Sequence, residues 1–132
     1  MVKTVERFLL VDDDPLNNTL SKIVLRRYLG EVEVTDFVIP EEAIEYIKSE
    51  FEDKLFEEKT TLFLDINMPS MSGWEFLEIF KTFKEPIQKQ FNIYMLSSSI
   101  DESDIKRAKD NPLVINFIEK PLNKAIIKRL FG

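Results

Sequence analysis

The chain has 132 residues, of which 44% are hydrophobic and 32% charged, and this composition predicts a single globular domain. Its 24 acidic and 18 basic residues give a formal charge of -6, so neither nucleic acid nor an anionic membrane surface is expected as a direct partner. Cysteine and histidine are both absent, which excludes disulfides, Cys/His metal sites, thiol nucleophiles and Ser-His-Asp triads. Any chemistry must therefore use carboxylates, hydroxyls, Lys, Arg or a metal that prefers oxygen ligands.

The N-terminal segment contains no pattern typical of export or membrane insertion. Its apolar run, Phe8 to Val11, has four residues, whereas a signal peptide needs roughly 7–15 and a membrane helix about 20. We therefore expect a cytoplasmic protein that forms one domain over residues 1–132 with no output domain. The polar stretch 50–60 contains three apolar residues and is compatible with extension of the preceding helix.

Short apolar runs closed by polar or turn-forming residues recur along the chain. Such a run is typical of a strand buried on both faces of a parallel sheet. Five strands are predicted, over residues 8–11, 32–37, 61–64, 93–96 and 114–118. In the second strand, valines alternate with acidic residues, which indicates a position nearer the edge of the sheet.

Helical patterns follow each of these strands. The first helix begins after Asp14, a plausible N-cap, and stops at Gly30. Its apolar residues, expected to face the core, are Leu16, Leu20, Ile23, Val24 and Tyr28. Further helices are predicted after Pro40, after Gly73, over 101–110 and after Pro121. Five strands alternating with five helices predict an α/β fold, a doubly wound parallel sheet with helices on both faces.

Polar residues stand at the carboxyl ends of four predicted strands. These residues are Asp12 with Asp13, then Asp65, Ser97 and Lys120. Each alone could be a helix cap, a turn residue or a solvated side chain. Because ligands of open α/β sheets bind outside the carboxyl ends of the strands, we expect the five side chains to meet in one crevice.

The chemistry of this set favours phosphoryl transfer. Three neighbouring carboxylates repel one another, and a hard divalent cation such as Mg²⁺ relieves the repulsion. Lys120 can pair with Asp65 or with a phosphate, and Ser97 can donate to an oxyanion. A metal, an ammonium and a hydroxyl facing a carboxylate suit a reaction in which that carboxylate is the nucleophile and an aspartyl phosphate is the product.

Four segments of the chain resemble the receiver domains of two-component response regulators. They are LLVDDDP, LDINMPSMSGWEFL, IYMLSSS and FIEKP, and they occur in matching order and spacing from Phe8 to about Leu130. The resemblance implies a flavodoxin-like fold with strand order 2-1-3-4-5. It further implies that Asp65 is the phosphoacceptor.

Further roles follow from the motif positions of the family. Asp13 would bind Mg²⁺ directly, Asp12 mainly through water, Asp65 with its own carboxylate and Asn67 with its backbone carbonyl; Mn²⁺ could substitute. Ser97 and Lys120 would contact the phosphoryl group. Phe117 takes the position of the switch aromatic, which is often Tyr in the family, so its response would depend on packing alone.

The resemblance also implies partners. A sensor histidine kinase or a histidine phosphotransfer protein would donate to Asp65, and the surface around the 101–110 helix, the last strand and the last helix would then change. The protein would catalyse only its own phosphorylation and slow dephosphorylation, as a monomer or a phosphorylation-dependent dimer.

Two alternatives remain at this point. The first is a receiver-like adaptor that is never phosphorylated, and the second is a phosphatase that forms an aspartyl phosphate. Phosphatases of that type place a second Asp two residues after the nucleophile, where this chain has Asn67. Outside the crevice, Trp74 is expected to have a packing role, and Lys106, Arg107 and Lys109 a solvated helix face.

Overall fold

Five parallel strands form the sheet of this protein, described here from a computed structural model that covers residues 5–52, 58–99 and 101–132. The strands are β1 (Glu6–Val11), β2 (Val32–Phe37), β3 (Thr60–Asp65), β4 (Phe91–Ser97) and β5 (Val114–Glu119). Their order across the sheet is β2-β1-β3-β4-β5. This order confirms the predicted doubly wound, flavodoxin-like architecture and places β2 at an edge.

Six helices lie in the described ranges, one more than predicted. They are α1 (Pro15–Leu29), α2 (Pro40–Phe51), α3 (Gly73–Phe80), α4 (Glu85–Gln88), α5 (Glu102–Asp110) and α6 (Lys124–Phe131). The additional helix, α4, is a single turn that begins next to Pro86 and contributes Ile87 to the core. A segment this short has no periodicity from which a helix could be predicted.

The sheet separates two apolar cores, as expected for strands buried on both faces. Alternate strand residues, such as Leu62 and Leu64, pack with α2 and α3 on one face. Their neighbours, such as Phe8 and Phe63, pack with α1 and α6 on the other. Because all five strands are parallel, their carboxyl ends lie along one edge of the sheet.

The orientation of α1 contradicts the prediction made for its apolar stripe. Leu16, Leu20, Ile23 and Tyr28 are exposed, and only Val24 of the predicted stripe is half-buried. The buried residues of this helix are instead Asn18, Ser21 and Leu25. The amide of Asn18 donates to the backbone carbonyls of Asp12 and Phe37, at 3.0 and 3.4 Å. These bonds turn the Asn18 side of α1 towards the sheet and leave the apolar stripe in solvent.

The helix α5 has one buried residue, Ala108. The apolar core therefore holds α5 through a single buried side chain, as it also holds α4 through Ile87 and α6 through Ile127. The polar stretch 50–60 begins where α2 finishes, because that helix ends at Phe51. The proposed extension of that helix falls largely on residues 53–57, which lie outside the described residues.

Within the described ranges, no helix is long and apolar enough to cross a membrane.

Candidate functional site

Three carboxylates meet where β1 and β3 end. Asp12 and Asp13 follow β1 directly, and Asp65 is the last residue of the neighbouring β3. One oxygen from each carboxylate lies within 4.8 Å of the other two. Asp12 and Asp65 are only 2% and 3% exposed, whereas Asp13 is more open to solvent. A cluster of three carboxylate oxygens with one open side can hold a divalent cation that prefers oxygen ligands.

The ammonium of Lys120 joins this cluster from the end of β5. Its nitrogen lies 2.8 Å from an oxygen of Asp12 and 3.2 Å from an oxygen of Asp65. The backbone N–H of Lys120 also donates to the carbonyl of Ser97, at 2.8 Å, which fixes the end of β5 against the end of β4. One cation therefore partly offsets three closely spaced anions.

The electrostatics of the pocket shift the titration of two of its members. Burial, together with the negative charge of Asp12, raises the pKa of the Asp65 carboxyl from 3.8 to about 7, and Lys120 offsets only part of this effect. Burial alone would lower the pKa of Lys120, but its hydrogen bond to Asp12 and the charge of Asp65 outweigh burial and raise that pKa. The pocket thus favours a bound cation and disfavours a further negative charge.

The carboxylate of Asp12 is already well supplied with hydrogen-bond donors. One of its oxygens accepts from the backbone N–H of Asp14 at 2.9 Å. The other accepts from the Asn17 amide at 2.6 Å and from Lys120. Asn17 is a site residue that was not predicted, because its only indication in the sequence is its place in the first turn of the helix that follows the acidic pair. These donors leave Asp13 and Asp65 with more free oxygen lone pairs for a metal.

The hydroxyl of Ser97 is buried at the end of β4 but is bonded locally. It donates to the carbonyl of Ser99 at 2.8 Å and accepts from the Ser99 N–H at 3.3 Å. Asp65 and Ser97 end neighbouring strands, and the register pairs Asp65 with Leu96, the residue before Ser97. The hydroxyl would have to leave Ser99 before it could bind an anion attached to Asp65.

The remaining two candidate residues are Phe117 on β5 and Asn67 in the loop after β3. Phe117 is half-buried on β5 opposite Met95, which precedes Ser97 by two positions on β4, so the three side chains share a face of the sheet. Phe117 packs against the core on that face. Asn67 is exposed in the loop that follows β3.

Gly73 holds the start of α3 against the phosphoacceptor candidate. A Cβ at this position would lie 2.6 Å from the backbone oxygen of Asp65, so no larger residue fits without displacement. The Gly73 N–H donates to the carbonyl of Ile66 at 2.8 Å. Ser72 caps the helix by a reciprocal pair of bonds with Glu75. The first turn of α3 is therefore joined directly to the end of β3.

These features define a class: a doubly wound α/β protein with an acidic pocket that could hold a metal ion at the carboxyl edge of its sheet. The model of the response regulator receiver domain family matches residues 8–131. The chain belongs to this family, the receiver domains of two-component systems.

Solved structures agree with this assignment. The chain is 28% identical to a response regulator receiver protein from Dyadobacter fermentans, with a TM-score of 0.84 over 96% of this chain and 94% of that one. It is 26% identical to a two-component response regulator from Cytophaga hutchinsonii, with a TM-score of 0.86 and coverage of 98% and 96%.

A more distant structure shares the fold. The chemotaxis protein CheY4 of Vibrio cholerae is 22% identical, with a TM-score of 0.70 over 96% of this chain and 95% of that one. No curated protein matches the chain by sequence.

Proposed function

We propose that this receiver domain accepts a phosphoryl group on Asp65 from a phosphohistidine of a sensor kinase or a histidine phosphotransfer protein. The observation that carries the proposal is the position of Asp65. Its carboxylate is buried at the end of β3, 3.2 Å from the Lys120 ammonium and within 4.8 Å of two further carboxylates. This is the setting in which a carboxylate can attack phosphorus while cations balance the charge.

The transfer requires one bond to form and one to break. A carboxylate oxygen of Asp65 attacks the phosphorus, and the bond from phosphorus to the imidazole nitrogen of the partner breaks, with its electron pair remaining on that nitrogen. Lys120 then has a phosphoryl oxygen as a partner in place of the Asp65 carboxylate. Ser97 donates to a second phosphoryl oxygen once its hydroxyl has left Ser99.

The donor set fits Mg²⁺, with Mn²⁺ as a substitute, because every available ligand is an oxygen. Asp13, Asp65 and the backbone carbonyl of Asn67 would hold the ion, and Asp12, whose oxygens already accept three hydrogen bonds, would act mainly through water. When bound, the ion neutralises charge that accumulates on the carboxylates and the phosphoryl oxygens.

Phosphorylation would then alter a surface formed by α5, β5 and α6. Once Ser97 moves towards the phosphoryl group, Phe117 can repack in the space beside β4, since both side chains lie on the same face of the sheet. Because α5 has only one buried residue, a shift of this helix would disturb little of the apolar core.

The exposed stripe of α1 is suited to receive the phosphodonor. Leu16, Leu20 and Ile23 follow helical spacing and are 65%, 45% and 54% exposed. Leu16 lies only three residues after Asp13, so the stripe begins at the rim of the acidic pocket. A partner that places its phosphohistidine at Asp65 can cover this apolar face at the same time.

Phosphorylation by a small-molecule donor tests the proposal. Incubation with acetyl phosphate and Mg²⁺ should add the mass of one phosphoryl group to the intact protein. Asp65→Ala should abolish the addition, and Asp110→Ala, an exposed aspartate outside the pocket, should leave it unchanged. Persistent labelling of Asp65→Ala would refute the assignment, and a wild-type chain that takes no phosphoryl group and binds no Mg²⁺ would indicate an adaptor instead.

A further inference from the structure

We infer that Trp74 is a positioning residue that couples α5 to the phosphoacceptor. Its indole N–H donates to a carboxylate oxygen of Asp104 on α5, at 3.0 Å. The guanidinium of Arg107, one turn further along α5, lies 4.9 Å from the centre of the Trp74 ring. Two side chains of α5 therefore contact Trp74: Asp104 binds its N–H, and Arg107 lies over its ring.

The contact with Trp74 is one of few side-chain links between α5 and the rest of the described fold. Ala108 is the only residue of the helix that is buried in the core. The side chain of its N-cap, Asp101, bonds within the first turn of the same helix. Among the described residues, the bond from Trp74 to Asp104 is the one side-chain hydrogen bond that joins α5 to another element. When that bond is lost, local opening should therefore increase more in α5 than in any other element of the fold.

The backbone of Trp74 is linked to the candidate phosphoacceptor, Asp65, through the preceding residue, Gly73. Trp74 is buried and directly follows Gly73, which packs against the backbone oxygen of Asp65 and donates to the carbonyl of Ile66. Because Gly73 contacts the backbone of Asp65 so closely, the first turn of α3 cannot move independently of the end of β3. A displacement of the backbone at the end of β3 should therefore displace that turn as well. The indole carries that displacement to Asp104 and Arg107.

Arg107 takes part in this link although it is exposed. A cation over the face of a tryptophan is attracted by the negative face of the ring, and Asp104 beside it receives a charge-assisted hydrogen bond. The residue thus differs from Lys106 and Lys109, the other basic residues of the helix, for which a solvated face remains the simplest interpretation. In combination with the proposed function, on which this step rests, the link makes α5 respond when Asp65 is phosphorylated.

Hydrogen exchange along α5 tests the link in the full chain. In the unphosphorylated protein, Trp74→Phe keeps an aromatic ring but removes the donor, and Asp104→Ala removes the acceptor. Each should speed exchange of the α5 amides about tenfold, the effect of losing one charge-assisted hydrogen bond, and leave β3 unchanged. The double variant should exchange no faster than either single variant, because both remove the same bond. Asp104→Asn, which retains an acceptor oxygen, should restore most of the protection.

Glu102→Ala is the matched control, since it removes an exposed acidic residue from the same first turn of α5. It should leave the exchange rates of the helix within about twofold of wild type. Unchanged rates in Asp104→Ala, additive effects in the double variant, or an equal effect of Glu102→Ala would each overturn the inference. Asp104 is half-exposed, so its variant remains informative even where Trp74→Phe fails to fold.

Measurements on the phosphorylated protein distinguish two roles for Trp74: coupling α5 to Asp65, or only holding α5 in place. With acetyl phosphate and Mg²⁺, Trp74→Phe should take up one phosphoryl group as wild type does, but the change in α5 exchange that accompanies phosphorylation should be reduced several-fold. An undiminished change would overturn the coupling. If the wild-type chain takes up no phosphoryl group, the proposed function fails, whereas the comparison of unphosphorylated variants still decides whether Trp74 holds α5.

Discussion

The ammonium of Lys120 lies 3.2 Å from a carboxylate oxygen of Asp65, and it is fixed there from a different strand. Its second partner, Asp12, lies on a third strand end, so one side chain ties together the ends of β1, β3 and β5. The strength of this arrangement comes from burial, since the Lys120 side chain is 15% exposed and both partners are less so. A salt bridge in that environment is costly to break.

Lys120→Met should therefore lower the stability of the metal-free protein. Two buried carboxylates would lose their cation, and we expect the free energy of unfolding in urea to fall by about 2–4 kcal/mol near neutral pH. The same variant should be phosphorylated more slowly by acetyl phosphate, by about tenfold or more, because the transferred group loses a positive partner. Lys124→Met, an exposed lysine nearby, provides the control for both measurements and should change neither.

The raised pKa of Asp65 predicts an unusual dependence of stability on pH in the absence of metal. Burial and the charge of Asp12 raise this pKa from 3.8 to about 7 in the folded chain. Between these two values the folded chain holds a proton that the unfolded chain has lost. The stabilisation from protonated Asp65 is therefore fully present below about pH 4 and disappears as the pH rises through about 7.

Urea unfolding in EDTA at several pH values measures this effect. Asp65→Asn should remove this contribution to the pH slope, and at about pH 8 it should be more stable than wild type by about 1–3 kcal/mol. A variant that is no more stable than wild type at that pH would contradict the assigned shift. Asp110→Asn should retain the wild-type slope.

Mg²⁺ should stabilise the folded protein because it binds a site that forms only on folding. At a concentration one hundred times the dissociation constant, the gain should be about 2.7 kcal/mol, visible as a rise in Tm. Asp13→Asn should remove most of this rise. Asp14→Asn makes the same change at the adjacent residue, where Asn is an equally good helix cap, and should keep it.

The exposed stripe of α1 predicts a selective defect in transfer from a protein donor. Leu20→Arg places a charge in the centre of the stripe. It should slow transfer from a kinase that phosphorylates the wild-type chain by about tenfold or more, because the partner would bury that charge. Phosphorylation by acetyl phosphate should be unaffected. Thr19→Arg adds the same charge at a neighbouring exposed position outside the stripe and should have a smaller effect; equal defects would argue against α1 as the docking face.

The strands, their parallel arrangement and the central site could be predicted because each depends on local information. The apolar run before Asp65 shows both that β3 is buried and where it ends, and the run before Lys120 shows where β5 ends. Parallel topology then brings the ends of the strands to one edge. Of the five side chains predicted to meet, the distances between charged atoms bring four together: Asp12, Asp13, Asp65 and Lys120. The fifth, Ser97, has its hydroxyl bonded to Ser99 instead.

The orientation of α1 could not be predicted in the same way. Two faces of that helix compete for the sheet, and hydrophobicity favours the one with Leu20 and Ile23. The outcome depends on two bonds from Asn18 to backbone carbonyls at the ends of β1 and β2, which exist only once those strands are paired. The bond between Asn17 and Asp12 and the local bonds of Ser97 likewise depend on side-chain geometry that no spacing reveals.

Trp74 is the single tryptophan of the chain. Its intrinsic fluorescence therefore comes from one place, the junction between α3 and α5. Because a carboxylate and a guanidinium surround the indole there, its emission should be sensitive to their distance. The unmodified protein thus carries its own optical probe, and rapid mixing could follow the arrival of a phosphoryl group or a partner in real time without any attached dye.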